Sequence, residues 1–85
     1  MRTYVYFLRR GDHIKIGWSC VPDTRARNLR GLLLAVIPFE SERGGPWWEK
    51  AEHRRWHHLS LGREWFRAGP ELLWWIARLQ RWFPE

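Results

Sequence analysis

Cysteine occurs once, at Cys20, which excludes an internal disulfide and any zinc site built from several thiolates. A reducing compartment is expected. Long apolar runs are missing too: the longest, Leu32 to Phe39, is far too short to cross a bilayer. Near Met1, the stretch Tyr4-Val5-Tyr6-Phe7-Leu8 runs straight into Arg9-Arg10, which is too short for the apolar segment of a secretion signal. The expectation is a cytoplasmic protein without a membrane partner. Lysine is also scarce. Lys15 and Lys50 are the only lysines among 15 basic residues, set against 9 acidic ones, giving a formal charge of +6. That balance suits a partner made of phosphates, and arginine adds a two-pronged geometry that lysine lacks. On composition alone, a basic globular domain with no such partner fits equally well.

What is abundant is tryptophan. Eight tryptophans and a hydrophobic fraction of 45% supply a core, so disorder is excluded. With 85 residues the chain reads as a single domain, residues 1–85, burying only roughly 60–65% of its unfolded surface.

Aromatic and β-branched residues from Thr3 to Leu8 predict a strand. Arg9-Arg10-Gly11-Asp12 predicts a turn, and Ile14 and Ile16 alternate with polar neighbours in a second strand, making a hairpin. Pro22-Asp23 opens a helix to Arg30, with Gly31 placed for its C-terminal cap. Leu32 to Ile37 predicts a buried strand closed by Pro38. Ser41 to Gly45 predicts a loop, and Pro46 begins a helix through about Leu59. Along that helix Trp48, Ala51 or Glu52, Trp56 and Leu59 share one face, while Glu49, His53 and His57 share another. After a connector holding Gly62 to Phe66, Pro70 starts a last helix with a stripe of Leu72, Leu73, Ile76, Leu79 and Phe83. The fold expected is α+β, a small three-stranded antiparallel sheet flanked by three helices in the order ββαβαα.

Two tripeptides, Tyr4-Val5-Tyr6 and Lys15-Ile16-Gly17, precede Arg25 and then Glu49-x-x-x-His53. Their order and spacing resemble the GIY-YIG nuclease superfamily of small Mg²⁺-dependent domains that cut phosphodiester bonds. One branch is especially similar, that of phage DNA-binding domains and a meiotically up-regulated fungal protein. Its motifs match Ile14-Lys15-Ile16-Gly17, Ser19 with Pro22, Arg25, Glu49-x-x-x-His53-x-x-Trp56 and Glu64-Trp65-Phe66. The chain differs from the wider superfamily in carrying Lys15 for a tyrosine and Leu29 for a histidine, and from the branch in carrying Glu52 for an apolar residue.

The resemblance implies an endonuclease acting on DNA with Mg²⁺ or Mn²⁺. It implies that Glu49 is the metal ligand and that Arg25 grips the phosphate. Tyr6 or Lys15 orients or deprotonates the attacking water, His53 relays a proton or meets the leaving group, and Gly17 lies under the scissile phosphate. Tyr4 and Ser19 complete the substrate surface, and Glu64 is a second metal candidate. Such roles are chemically coherent: Mg²⁺ keeps several waters and needs few protein ligands, while an arginine fork neutralises charge on the phosphate.

The residues admit plainer readings. Tyr4 and Tyr6 fall on one side of a strand and suit packing; a charged helical face usually meets water; Trp65 and Phe66 suit anchoring of the connector. Trp48, Trp56, Trp65, Trp75 and Trp82 suit a core, whereas Trp18, Trp47 and Trp74 cannot all be buried in so small a domain. Trp74 shares a face with Arg78 and Arg81, which suits stacking on unpaired bases or a homodimer interface. Beside the nuclease stand two other readings, a catalytically silent DNA-binding module and an unrelated interaction protein.

Overall fold

The computed structural model of the chain describes residues 1–84. It is α+β, but the sheet is larger than expected. Five strands, not three, form one antiparallel sheet in the order β3-β1-β2-β5-β4. Along the chain run β1 (Thr3–Arg10), β2 (His13–Ser19), α1 (Pro22–Leu29), β3 (Leu32–Phe39), α2 (Gly44–Arg55), a 3₁₀ turn (His57–Leu59), β4 (Ser60–Gly62), β5 (Trp65–Arg67) and α3 (Pro70–Trp82). The order expected from sequence therefore lacked a hairpin between its last two helices.

That hairpin has a physical reason to be hidden. Its strands span only Ser60–Gly62 and Trp65–Arg67, and its turn uses Arg63 and Glu64, both at positive φ (51° and 69°). Two positive φ values at the central positions are the type I′ arrangement usually signalled by Asn-Gly or Asp-Gly. For residues with a Cβ this costs roughly 1–2 kcal/mol each. The strain is repaid by pairing: β5 joins β2 from His13 to Lys15, and Ile16 N–H donates to Glu64 O at 3.1 Å.

The other boundaries shift for identifiable reasons. β3 runs past Pro38 to Phe39 and is an edge strand, half exposed rather than buried, where proline's missing N–H removes nothing from the sheet. The left-handed residue ending α1 is Arg30, at φ 54°, not Gly31. Gly31 instead makes room for Leu8, whose side chain fills the space a Cβ would need. The second helix starts earlier and ends earlier than expected, with His57–Leu59 turned off into 3₁₀ geometry. Phe83 lies beyond α3 and is exposed.

The two faces of the sheet are covered unequally. Val5, Phe7, Ile14, Ile16, Ala35, Ile37 and Phe66 pack against α2 and α3 through Trp56, Leu72, Ile76 and Leu79. The opposite face carries a smaller cluster of Tyr6, Leu8 and Ala26, under α1. Two ties fix α2 on the main layer. At its start, Gly44 N–H donates to Ser41 Oγ and Gly45 N–H to Thr3 Oγ1 on β1, satisfying donors that a first helical turn leaves open. Further along, Glu52 is 2% exposed and accepts Trp75 Nε1–H at 2.7 Å and Trp56 Nε1–H at 3.3 Å, with Arg55 Nε at 3.4 Å. Glu52 thus sits in the core as an acceptor for two indoles, joining α2 to α3.

Truncating that acceptor leaves both indole donors without a partner, and each such donor costs about 1–3 kcal/mol. Glu52→Ala is expected to lower urea-unfolding stability by about 2–4 kcal/mol. Glu52→Gln, which keeps a carbonyl oxygen, is expected to lose under about 1 kcal/mol. Equal losses in the two variants would show that Glu52 acts by bulk rather than as an acceptor.

Candidate active site

The hairpin register brings the two tripeptides together. Tyr4 pairs with Ser19, Tyr6 with Gly17 and Leu8 with Lys15, so all these side chains rise from the face under α1. Tyr6 is only 2% exposed. Its ring lies flat across Gly17: a Cβ built on Gly17 would stand 2.5 Å from Tyr6 Oη. The space above Gly17 is therefore occupied by a phenol, which reaches over β2 toward the far edge of that strand because no side chain blocks it. Glycine is required here because a side chain would run into the Tyr6 phenol.

At that far edge the sheet changes character. Residues Ile16 and Trp18 turn their outward N–H and C=O groups away from β1. The β4–β5 turn satisfies the first of them, Ile16 N–H, through Glu64 O, and pairing with β5 extends no further along β2. Helix α2 takes over with side chains. His53 Nε2 lies 2.7 Å from Ile16 O, so Nε2 carries the proton, and the ring packs edge-on against Phe66 at 5.1 Å. One turn earlier, Glu49 lies near the backbone N–H of Trp18, which favours its charged form. The Glu49–His53 spacing thus works as a substitute strand.

Glu49 comes out of this arrangement incompletely satisfied. Its Oε2 is buried with no hydrogen-bond partner in the chain. Burial pushes the Glu49 carboxyl up from its ordinary value near 4.5, and the nearby Glu64 carboxylate pushes the same way; His53, Lys15 and the Trp18 N–H act against them. Glu64 in turn is held by Lys15, Nζ to Oε1 at 3.1 Å, and Lys15 also lies over the Trp65 ring at 5.6 Å. Arg25, exposed on α1, is an electrostatic neighbour of Tyr6. Burial raises the Tyr6 phenol above its ordinary value and Arg25 lowers it, while Glu64 and Glu49 raise it further. Tyr6, Arg25, Lys15, Glu49 and Glu64 therefore share one electrostatic neighbourhood although their positions span most of the sequence.

The remaining candidates fall outside this group. Ser19 is 6% exposed, and its Oγ accepts Val21 N–H at 2.9 Å, fixing the chain just before α1. Tyr4 is half buried and lines a groove with Cys20, Pro22 and Arg27, on the first turns of α1. His57 and His58 lie on the exposed 3₁₀ turn, away from Glu49.

A divalent cation fits the residues present in one respect that the structure shows directly: a buried carboxylate oxygen without a donor is the group a hard cation replaces its waters with. No cluster of three or more His, Cys, Asp or Glu side chains exists among the described residues. A site here would be of the sparsely ligated kind typical of Mg²⁺, not of zinc. The buried role of Glu52 and the turn at Glu64 were not visible in the motif pattern. Glu64 was already a second metal candidate from the Glu64-Trp65-Phe66 motif; what the motif did not reveal is the positive-φ turn that holds it.

A carboxyl whose folded pKa lies above its unfolded value holds its proton more tightly when folded. Its favourable contribution is complete below the unfolded value and is lost as pH rises through the folded one. For Glu49 that window opens near 4.5 and extends upward. Glu49→Gln keeps an oxygen for Trp18 N–H and removes the buried charge. Without divalent metal, its stability relative to the unsubstituted protein is expected to grow from pH 4.5 to pH 7.5, measured by urea unfolding; a pH-independent difference would contradict the burial of this charge.

No family model, curated protein or solved structure matches the chain.

Proposed function

We propose that this chain is a Mg²⁺-dependent endonuclease that hydrolyses phosphodiester bonds of DNA, in the manner of a small GIY-YIG-like domain. The observation that carries the reading is the buried, partnerless Glu49 Oε2, whose charge is felt by the Tyr6 phenol lying over Gly17. A structural carboxylate of that kind is costly to keep unless something of opposite charge visits it.

Glu49 is the residue that holds the metal. Held there, Mg²⁺ would supply charge neutralisation at the phosphate and ease deprotonation of the attacking water. Arg25, exposed on α1 with its guanidinium free for a two-pronged grip, binds the non-bridging oxygens. Tyr6, kept neutral by burial, orients the attacking water through its hydroxyl and does not act as its base. Lys15 donates to Glu64, and the pair places an ammonium where charge develops in the transition state. His53 has its Nε2–H committed to Ile16 O, so it positions α2 and leaves only Nδ1 for chemistry. In the reaction, water oxygen bonds to phosphorus and gives up a proton to solvent, the ester bond to the leaving oxygen breaks, and that oxygen takes up a proton from solvent.

The charge of +6 supports DNA as the partner, through release of counterions from the backbone. No helix of the described residues is long and apolar enough to cross a membrane.

The assay is nicking of supercoiled plasmid with and without Mg²⁺. Arg25→Ala is expected to lose about 10²–10³-fold in rate, and Tyr6→Phe at least about 10²-fold. Glu49→Gln is expected to abolish the Mg²⁺-dependent cleavage while retaining salt-sensitive DNA binding. Mg²⁺ is also expected to raise the unfolding midpoint of the unsubstituted protein and not that of Glu49→Gln. Binding with no Mg²⁺-dependent nicking in any sample would leave a DNA-binding module on the same scaffold.

A further inference from the structure

Helix α3 buries Leu72, Ile76 and Leu79 and leaves large aromatics outside. Trp74 is 59% exposed and Trp82 55% exposed, although Trp82 was expected in the core. Between them, one turn from each, stands Arg78, with its guanidinium 4.6 Å from the Trp74 ring centroid and 5.4 Å from that of Trp82. The row continues toward α2: Trp82 meets Trp75 edge-on at 5.9 Å, and Arg55 stacks over Trp75 at 4.4 Å. Indoles and guanidinium planes therefore alternate across the outer surface of α2 and α3, next to a groove that Arg55, Trp56, Trp74 and Trp75 help to line. Trp75 is held from behind by its bond to Glu52.

This surface is not needed to close the core. An exposed apolar patch of this size on a small domain marks a contact. Its chemistry narrows the occupant. Flat apolar rings fixed in orientation by arginines offer faces to other planar rings, and the arginines offer charge to anions. A polymer that presents both, ring faces and regularly spaced negative charge, is a single-stranded nucleic acid. A duplex hides its base faces inside the stack. A second copy of this chain would bring Arg55, Arg78 and Arg81 against the same residues, a like-charge juxtaposition that disfavours self-pairing. The acidic side chain in the groove lining is Glu71 alone.

We infer that the outer face of α3, built on Trp74, Arg78 and Trp82 and extended by Trp75 and Arg55, is a binding surface for single-stranded DNA, separate from the Glu49 site. Unpaired bases stack on the indoles and the arginines meet the phosphates between them. The inference shares with the nuclease reading only the choice of DNA, and does not depend on hydrolysis.

Fluorescence anisotropy of labelled dT12 in EDTA tests it. Trp74→Ala and Trp82→Ala are each expected to weaken dT12 binding between about fivefold and a hundredfold. Trp74→Phe is expected to recover most of the loss, because a ring face remains. Arg78→Ala is expected to weaken binding and to flatten its salt dependence. The measurement is made without divalent metal, so failure of the nuclease reading leaves this result standing. Unchanged dT12 affinity in both tryptophan variants would overturn the inference, as would an equal loss of affinity for blunt duplex. Tighter binding of rU12 than dT12 would overturn the choice of DNA. A dimer in sedimentation that Trp74→Ala converts to monomer would assign the surface to self-association instead.

Discussion

The outer edge of β2 is the constraint on which the rest depends. A strand's edge groups must be paired, and here the pairing changes hands within three residues. Glu64 O accepts Ile16 N–H, His53 Nε2–H donates to Ile16 C=O, and the Glu49 carboxylate stands one turn along α2, near Trp18 N–H. The backbone partner therefore comes from the strained β4–β5 turn, and the side-chain partners come from one face of α2. This hand-over draws the two carboxylates to the same short stretch of strand. Gly17, between the two edge residues, then admits the Tyr6 phenol from the opposite side.

The arrangement is held at some cost. Arg63 and Glu64 adopt left-handed backbone, Glu49 keeps a carboxylate oxygen buried without a donor, and burial raises the Glu49, Glu52 and Tyr6 pKa values together. Strain and uncompensated charge gathered at one place are characteristic of a site selected for binding rather than for stability. Glu52 shows the contrast. It is the more deeply buried carboxylate, yet both of its indole donors and Arg55 are in place, so it reads as a structural joint. Two glutamates on one helix, three residues apart, differ in that Glu52 fastens α3 and Glu49 keeps an oxygen without a donor.

Legibility in the sequence followed the range of the interactions. The β1–β2 hairpin was readable because alternation and a glycine-containing turn are local signals, and the register Tyr6–Gly17 follows from them. The Glu49–His53 spacing on α2 was readable because helical periodicity is local too. The β4–β5 hairpin was not, since its short strands and Arg63-Glu64 turn make sense only beside β2. Likewise the fate of Glu52 and Trp82 depended on how α3 crosses α2. Glu52 found two indoles and went inside, while Trp82 remained out beside Arg78. The packing reason for glycine at position 17 was not legible either, because the atoms a Cβ would meet there belong to Tyr6 on the neighbouring strand.

The most direct measurement of the central claim is a crystal structure with Mn²⁺ in place of Mg²⁺, read by anomalous scattering. The account predicts one strong peak at Glu49 Oε2, at about the 2.1 Å typical of small divalent cations, with most other ligands water and the Tyr6 hydroxyl and Arg25 guanidinium facing it. A site left empty at saturating Mn²⁺, or Glu49 turned to a protein donor with its back to Tyr6, would contradict it.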